Sequence, residues 1–207
     1  MDFDYVILFL SLIFPLVFSP GPANIVFAMS GMRQGFKRSI PLLLGINLVF
    51  FVYSIIIGFG LSTFFQKFPF LIKIVQIIGA IYIFYLGYKF FKDQTDLETE
   101  NLSKAKQNFT FKDGVILQLL NAKGITMLLL MFSVLLNGAF ERTKQIIALV
   151  IMLAILNVTT HLIWITAGNL ISRFLKNRRL HLIINSIFSI SLFGVAIYLI
   201  YDALTKS

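Results

Sequence analysis

Residues Tyr5 to Met32 form an apolar run without a charge, and this run contains the motif Pro20-Gly21-Pro22. About 20 apolar residues are enough for a helix to cross a bilayer. Prolines lack a backbone N–H, so a break at this motif leaves carbonyl groups without helical partners. Each unpaired group is costly in hydrocarbon unless protein, water or a ligand satisfies it. The motif therefore predicts a broken membrane span whose break faces protein or a cavity.

The composition of the chain is that of an integral membrane protein. It is 58% hydrophobic and 13% charged, whereas soluble domains are about 45–50% apolar and about 25% charged. The net charge of +9 does not indicate nucleic-acid binding, because the basic residues lie in short clusters between apolar runs, where they set orientation. The absence of cysteine excludes disulfides, thiolate metal sites and thiol–disulfide electron transfer.

Six apolar runs are long enough to span a membrane, and they predict an all-α fold. We expect two three-helix halves, residues 1–91 and 114–207, joined by a polar cytoplasmic linker at residues 92–113. The first run of each half is interrupted, and an odd number of spans per half makes the two halves inverted repeats. The runs are Tyr5–Met32, Ile40–Phe65, Phe70–Phe91, Gly114–Leu136, Ile146–Ile171 and Leu182–Tyr201.

The positions of the basic residues predict how the chain crosses the membrane. Most Lys and Arg residues fall in the first, third and fifth connections between the runs. Since cytoplasmic loops carry the excess of positive charge, we expect these connections in the cytoplasm and both termini outside.

The first break offers backbone donors to an anion. A helix that begins at Pro22 has unpaired N–H groups in its first turn, at Ala23, Asn24 and Ile25, with the positive end of the helix dipole beside them. We expect Pro20, Gly21, Pro22 and Asn24 to bind the carboxylate of a substrate. The alternative is a simple proline kink.

The second break, around Asn121 and Gly124, carries a cation inside a span. Lys123 lies more than one turn inside the fourth run, with Gln118 and Asn121 beside it. A charge at this depth is a functional-site hypothesis by default, so Asn121 and Lys123 are predicted to bind substrate and Gln118 to line its path. The alternative is that Lys123 extends to one membrane surface.

His161 lies in the middle of the fifth run, and Asn157 shares its helical face. An imidazole can gain or lose a proton near neutral pH, so both residues are predicted to relay protons or to line the path. The alternative for His161 is an imidazole that joins two helices by hydrogen bonds.

All nine acidic residues fall outside the runs or at their ends. A metal-ion path would need such ligands inside the membrane, and no nucleophile–base pair or cofactor fingerprint is present. We therefore expect no metal, no cofactor and no enzymatic activity. The arrangement favours an anion or the carboxylate of a zwitterion.

The combined pattern resembles the LysE/RhtB family of bacterial amino-acid exporters. The segments that carry the resemblance are "SPGPANIVFAMSGMRQGFKRSIPLLLGI", "IIGAIYIFYLGYKFF" and "FKDGVILQLLNAKGITMLLL". The Pro-Gly-Pro of the family corresponds to Pro20, Gly21 and Pro22. Its Asn-Pro-Lys corresponds to Asn121, Ala122 and Lys123, so alanine replaces the family proline and the second break rests on Asn121 and Gly124.

The resemblance implies a secondary transporter that exports amino acids or close derivatives across the bacterial cytoplasmic membrane, coupled to the proton gradient. Its partners would be the small-molecule substrate and the lipid bilayer, with no nucleic acid, and a homo-oligomer stays open. Two alternatives also stay open: an exporter of divalent metal ions from the same superfamily, and a membrane scaffold without transport.

Overall fold

The computed structural model describes residues 3–61, 67–68, 70–98, 108–136, 141–174 and 178–205. Within these ranges every regular element is helical. A short π-helical turn, Ile57–Leu61, continues the second helix. The α-helices are α1 (Phe3–Phe18), α2 (Pro22–Ile56), α3 (Phe70–Glu98), α4 (Phe111–Leu119), α5 (Ala122–Leu135), α6 (Arg142–Phe174) and α7 (Arg178–Thr205).

Both interrupted runs are broken in the structure. The chain leaves helical geometry between α1 and α2 at residues 19–21, around Pro20-Gly21-Pro22. It leaves it again at residues 120–121, and the axes of α4 and α5 differ in direction by 59°. The second break precedes Gly124 rather than including it, because the Asn121 side chain caps α5 by accepting the Gly124 N–H at 3.1 Å.

The helix α2 reverses direction at Gly35. Its backbone there has φ 76° and ψ 172°, a region that is essentially restricted to glycine. The Ser30 hydroxyl donates to the Ser39 hydroxyl at 2.7 Å, although nine residues of straight helix would separate them by about 13.5 Å. We therefore describe α2 as two antiparallel arms, an N-terminal arm (residues 22–34) and a C-terminal arm (residues 36–56).

Glycines bring the arms of α2 into backbone contact with other helices. A Cβ on Gly31 would overlap the carbonyl oxygen of Ile165 in α6, and a Cβ on Gly168 would overlap that of Ala28. The C-terminal arm meets α4 in the same reciprocal way, through Gly45 and Gly114. Such small residues allow close helix packing in membranes, and here they hold both arms against the second half of the chain.

Within the described ranges, four helical stretches are long and apolar enough to cross a membrane, or five if the bent pair α4 and α5 counts as one span. This count differs from the six predicted spans for two reasons. The helix α1 has only 16 residues, and the stretch Pro22–Gly60 is counted once although it contains the reversal. Many large apolar side chains face outward along α3, α6 and α7, as expected of a multi-pass membrane protein.

The predicted linker is only partly described. Its first residues belong to α3, which continues to Glu98, and residues 99–107 lie outside the described ranges. The linker ends at a capping box, in which the Thr110 hydroxyl accepts the Asp113 N–H and the Asp113 carboxylate accepts the Thr110 N–H. This cap fixes the start of α4 and hence the position of the second break.

Candidate functional site

The two helix breaks meet through a single side chain. The Lys123 ammonium donates to the Ser19 hydroxyl at 2.8 Å and lies 3.4 Å from the Ser19 carbonyl oxygen. These residues are 104 positions apart and belong to different halves of the chain. Lys123 is half-buried, and its ammonium points toward the first break. It therefore does not extend to a membrane surface, which was the alternative.

Two polar side chains replace the backbone donors that the first break removes. In a continuous helix, the Leu16 carbonyl would accept from residue 20, which is a proline. The Ser19 hydroxyl donates to this carbonyl instead, at 2.9 Å. The Asn24 amide donates to the carbonyls of Val17 and Ser19, at 2.8 and 3.0 Å, so Asn24 supports the break from the turn that follows it.

The first turn of α2 has fewer unpaired donors than the sequence predicted. The Ile25 N–H donates to the Gly21 carbonyl at 2.9 Å, so the prediction that it is free was wrong. An α-helix pairs the N–H of its fourth residue with the residue just before it, and α2 begins at Pro22. No side chain caps this turn, which leaves the N–H groups of Ala23 and Asn24 as the candidate donors to a ligand.

The second break has a donor without a partner. The Asn121 side-chain amide nitrogen donates to Oε1 of the Gln118 side chain at 3.0 Å, and this hydrogen bond orients the Gln118 side chain. Gln118 is 1% exposed, and its amide nitrogen has no hydrogen-bond partner among the described residues. A buried, unpaired donor is unfavourable by itself, so this group is available to a bound water or ligand.

A small cavity collects most of the residues that the sequence singled out. Its volume is about 40 Å³, which is enough for a few water molecules and too small for an amino acid. Pro20 is exposed and lines a larger neighbouring groove instead. The predicted residues that line the cavity are Gly21, Pro22, Asn24, Gln118, Asn121, Lys123, Asn157 and His161.

His161 is held on the far wall of this cavity. The Asn47 amide nitrogen donates to the Leu43 carbonyl at 2.9 Å and lies 3.1 Å from His161 Nδ1. Because the Asn47 amide nitrogen can only donate, His161 Nδ1 accepts this hydrogen bond. The ring proton of the neutral imidazole is therefore on Nε2. The ring also packs against Phe27, with centroids 4.4 Å apart. The neighbouring Asn157 donates to the Leu153 carbonyl at 3.1 Å.

Two residues of this site were not among the residues predicted to bind substrate or to relay protons, although Asn47 is one of the polar residues of the second run, which could line a path or join helices. Ser19 accepts from Lys123, and its only signal in the sequence is a hydroxyl directly before Pro20. Asn47 fixes the His161 ring, and its only signal is an isolated amide in an apolar run. The sequence does not indicate which residue either side chain contacts, because both contacts join residues more than 100 positions apart.

The described residues contain no group of three or more His, Cys, Asp and Glu side chains that could hold a metal ion. The charged group that lines the small cavity is the Lys123 ammonium. The site as described is therefore an arrangement of donors that would attract an anionic group.

The chain is similar to known transport proteins over most of its length. The family model described as LysE type translocator matches residues 14–203. A cysteine/O-acetylserine efflux protein of Salmonella typhimurium is 28% identical over 171 residues, covering 80% of this chain and 84% of the relative. A homoserine/homoserine lactone efflux protein of the same organism is 23% identical over 118 residues, covering 56% and 57%.

An uncharacterized membrane protein of Bacillus subtilis is 23% identical over 192 residues, which cover 88% of this chain and 91% of the relative. No solved structure matches the chain significantly.

Proposed function

This chain belongs to the family of LysE type translocators, and we propose that it exports amino acids or close derivatives of them. It is a multi-pass membrane transporter of a small molecule rather than an enzyme. Two relatives are named as efflux proteins, one for cysteine and O-acetylserine and one for homoserine and its lactone. These compounds are amino acids or derivatives, so they are the first substrates to test.

The observation that carries the proposal is the contact between the two helix breaks. Lys123, the first turn of α2 and the unpaired amide nitrogen of Gln118 all present donors to one cavity. A carboxylate accepts several hydrogen bonds at once and is favoured by a cation and by helix N-termini. The substrate group that fits best is therefore a carboxylate, bound by the N–H groups of Ala23 and Asn24 and by the Lys123 ammonium.

The binding step would open the contact between the breaks. The cavity is too small for an amino acid, and we infer that a substrate carboxylate would make room by displacing Ser19 from the Lys123 ammonium. Ser19 would then lose its link to the second half, while Asn24 keeps the carbonyls of the break paired. This exchange would allow the two halves to move relative to each other around the site.

We place the protein in the bacterial cytoplasmic membrane as six spans in two inverted halves, with both termini outside. The reversal at Gly35 supports this arrangement, because it separates the first span from the second. Coupling to the proton gradient also belongs to the proposal. The role of His161, Asn157 and Gln118 as relay or path lining stays a prediction, and the Asn47 contact favours path lining for His161.

Of the two alternatives that the sequence left open, only the metal-ion exporter is still compatible with the family. An exporter of divalent metal ions would need metal ligands along its path, and the described residues contain no cluster of three or more His, Cys, Asp and Glu side chains. A scaffold without transport does not agree with membership in a family of translocators. The Lys123 ammonium at the contact between the two helix breaks also favours an anionic group over a metal cation.

The test is the release of amino acids from cells that overproduce the protein, loaded with dipeptides and profiled for all amino acids and for O-acetylserine. Lys123→Ala should abolish the release of the compounds that the wild type exports. Lys144→Ala is the matched control, because Lys144 is exposed at the start of α6 and forms an ion pair with Glu141. Equal release from the wild type, from Lys123→Ala and from cells without the protein would reject the proposed function.

A further inference from the structure

A larger groove adjoins the small cavity, and Lys123 lines both. The groove has a volume of about 430 Å³, within the range of ligand pockets, which is about 300–1,000 Å³. It lies between the first break, α5 and the ends of α3 and α7, and it shares the walls formed by Gly21, Pro22 and Lys123 with the cavity. Lys123 therefore lies at the boundary between the two spaces.

The groove contains one positive and one negative side chain among its described lining residues, Lys123 and Asp202. Asp202 lies in the last turn of α7 and is half-buried. The Gln76 amide of α3 donates to its carboxylate at 3.1 Å and to the Leu199 carbonyl at 2.9 Å. Gln76 is itself 8% exposed, so the carboxylate is oriented by a buried side chain from a neighbouring helix.

We propose that this groove is a second binding site, in which Asp202 binds the ammonium group of a zwitterionic amino acid while Lys123 faces its carboxylate. The inference rests on the proposed function and extends it, since no carboxylate is among the described residues that line the small cavity. A carboxylate that is oriented by Gln76 binds an ammonium by charge-assisted hydrogen bonds. The apolar wall formed by Leu130, Val195 and Leu199 would contact the substrate side chain.

The charges of the groove select against other ligand classes. A dicarboxylate would place one of its negative groups near Asp202, and a dication would place a positive group near Lys123. A divalent metal ion takes six or more oxygen ligands or a set of nitrogen and sulfur ligands, whereas the groove supplies one carboxylate. A substrate with one group of each sign is the class that meets both side chains.

The experiment compares two compounds that differ in the ammonium group. The purified full-length chain is placed in lipid vesicles, and efflux of cysteine, O-acetylserine and homoserine is measured over a range of concentrations. The N-acetyl derivative of each transported compound is then added as a competitor. Wild type, Asp202→Asn, Asp202→Glu and the matched control Glu141→Gln, an exposed acidic residue at another helix end, are assayed in parallel.

We expect Asp202→Asn to raise the half-saturating concentration of the amino acid about tenfold or more, the size typical of a lost charge-assisted hydrogen bond. The N-acetyl derivative should compete at least tenfold more weakly than the parent in the wild type, and about equally in Asp202→Asn. Asp202→Glu should keep part of the discrimination, and Glu141→Gln all of it.

An unchanged half-saturating concentration in Asp202→Asn would overturn the second site and leave the proposed function intact. Should that variant not fold, the wild type decides, because an N-acetyl derivative that competes as well as its parent also overturns the second site. A wild type that carries none of the three compounds counts against the proposed function itself.

Discussion

At the scale of single residues, Ser19 is where the two breaks depend on each other. Its hydroxyl donates to the Leu16 carbonyl and accepts from Lys123. Ser19→Ala leaves the partly buried Leu16 carbonyl and the Lys123 ammonium without this partner, so we expect the free energy of unfolding to fall by about 1–3 kcal/mol and export to decrease. Ser19→Thr keeps the hydroxyl and should retain both. Thermal unfolding in detergent and efflux assays check this, and two variants that behave alike would contradict it.

His161 gives a residue-scale test between its two predicted roles. Because Nδ1 accepts from Asn47, the ring can donate from Nε2 without changing its protonation. The amide of glutamine donates a hydrogen bond from a similar position, but it does not take up or release a proton near neutral pH. We expect His161→Gln to keep gradient-driven efflux within about threefold of the wild type, a factor of less than 1 kcal/mol, and His161→Leu to lose most of it.

The measurement is efflux from vesicles with and without an imposed pH gradient. Loss of the gradient-driven part alone in His161→Gln, with exchange of substrate unchanged, would assign the proton relay to His161.

At the scale of helices, the close contact between the N-terminal arm of α2 and α6 is the most sensitive to size. A Cβ on Gly168 would overlap the Ala28 carbonyl oxygen. Because this oxygen belongs to the helix backbone, the added methyl group can be accommodated only if the two helices move apart. Overpacking of this kind destabilises by about 1–3 kcal/mol or more, so Gly168→Ala should lower the unfolding temperature. Gly194→Ala is the control, since open space surrounds Gly194, and it should be neutral or slightly stabilising. Similar melting curves for both variants would refute the close contact.

Helix breaks were predictable at this scale, while the distances between helices were not. Pro20-Gly21-Pro22 acts on its own backbone, so its break follows from local chemistry, and Asn121 ends one helix and caps the next in the same local way. Gly35 and Gly168 differ, because a glycine in sequence does not state whether it serves a reversal or a close contact. The spacing of Gly31 and Gly35 resembles a packing motif, yet Gly31 contacts α6 and Gly35 turns the chain.

At the scale of the whole molecule, the pairing of the two halves lies beyond sequence patterns. A lysine inside an apolar run predicts a buried role, but the partner of Lys123 is 104 residues away. Asp202 was classified by its place at the end of a run, whereas the structure brings it to the groove that Lys123 lines. Linear periodicity identifies which residues are unusual, and only the packing of helices decides which of them share a site.

The orientation of the whole chain can be measured because the protein has no native cysteine. Single cysteines replace Lys37, Asn108, Glu141 and Leu204, all of which are exposed, and intact cells are treated with a membrane-impermeant thiol reagent. Six spans with both termini outside place three spans between residues 37 and 141. Glu141→Cys and Leu204→Cys should therefore react in intact cells, and Lys37→Cys and Asn108→Cys only after permeabilisation. A single straight span over residues 22–60 would instead bury residue 37 in lipid, so that Lys37→Cys reacts under neither condition. Reaction of Lys37→Cys and Glu141→Cys from the same side would exclude the inverted halves.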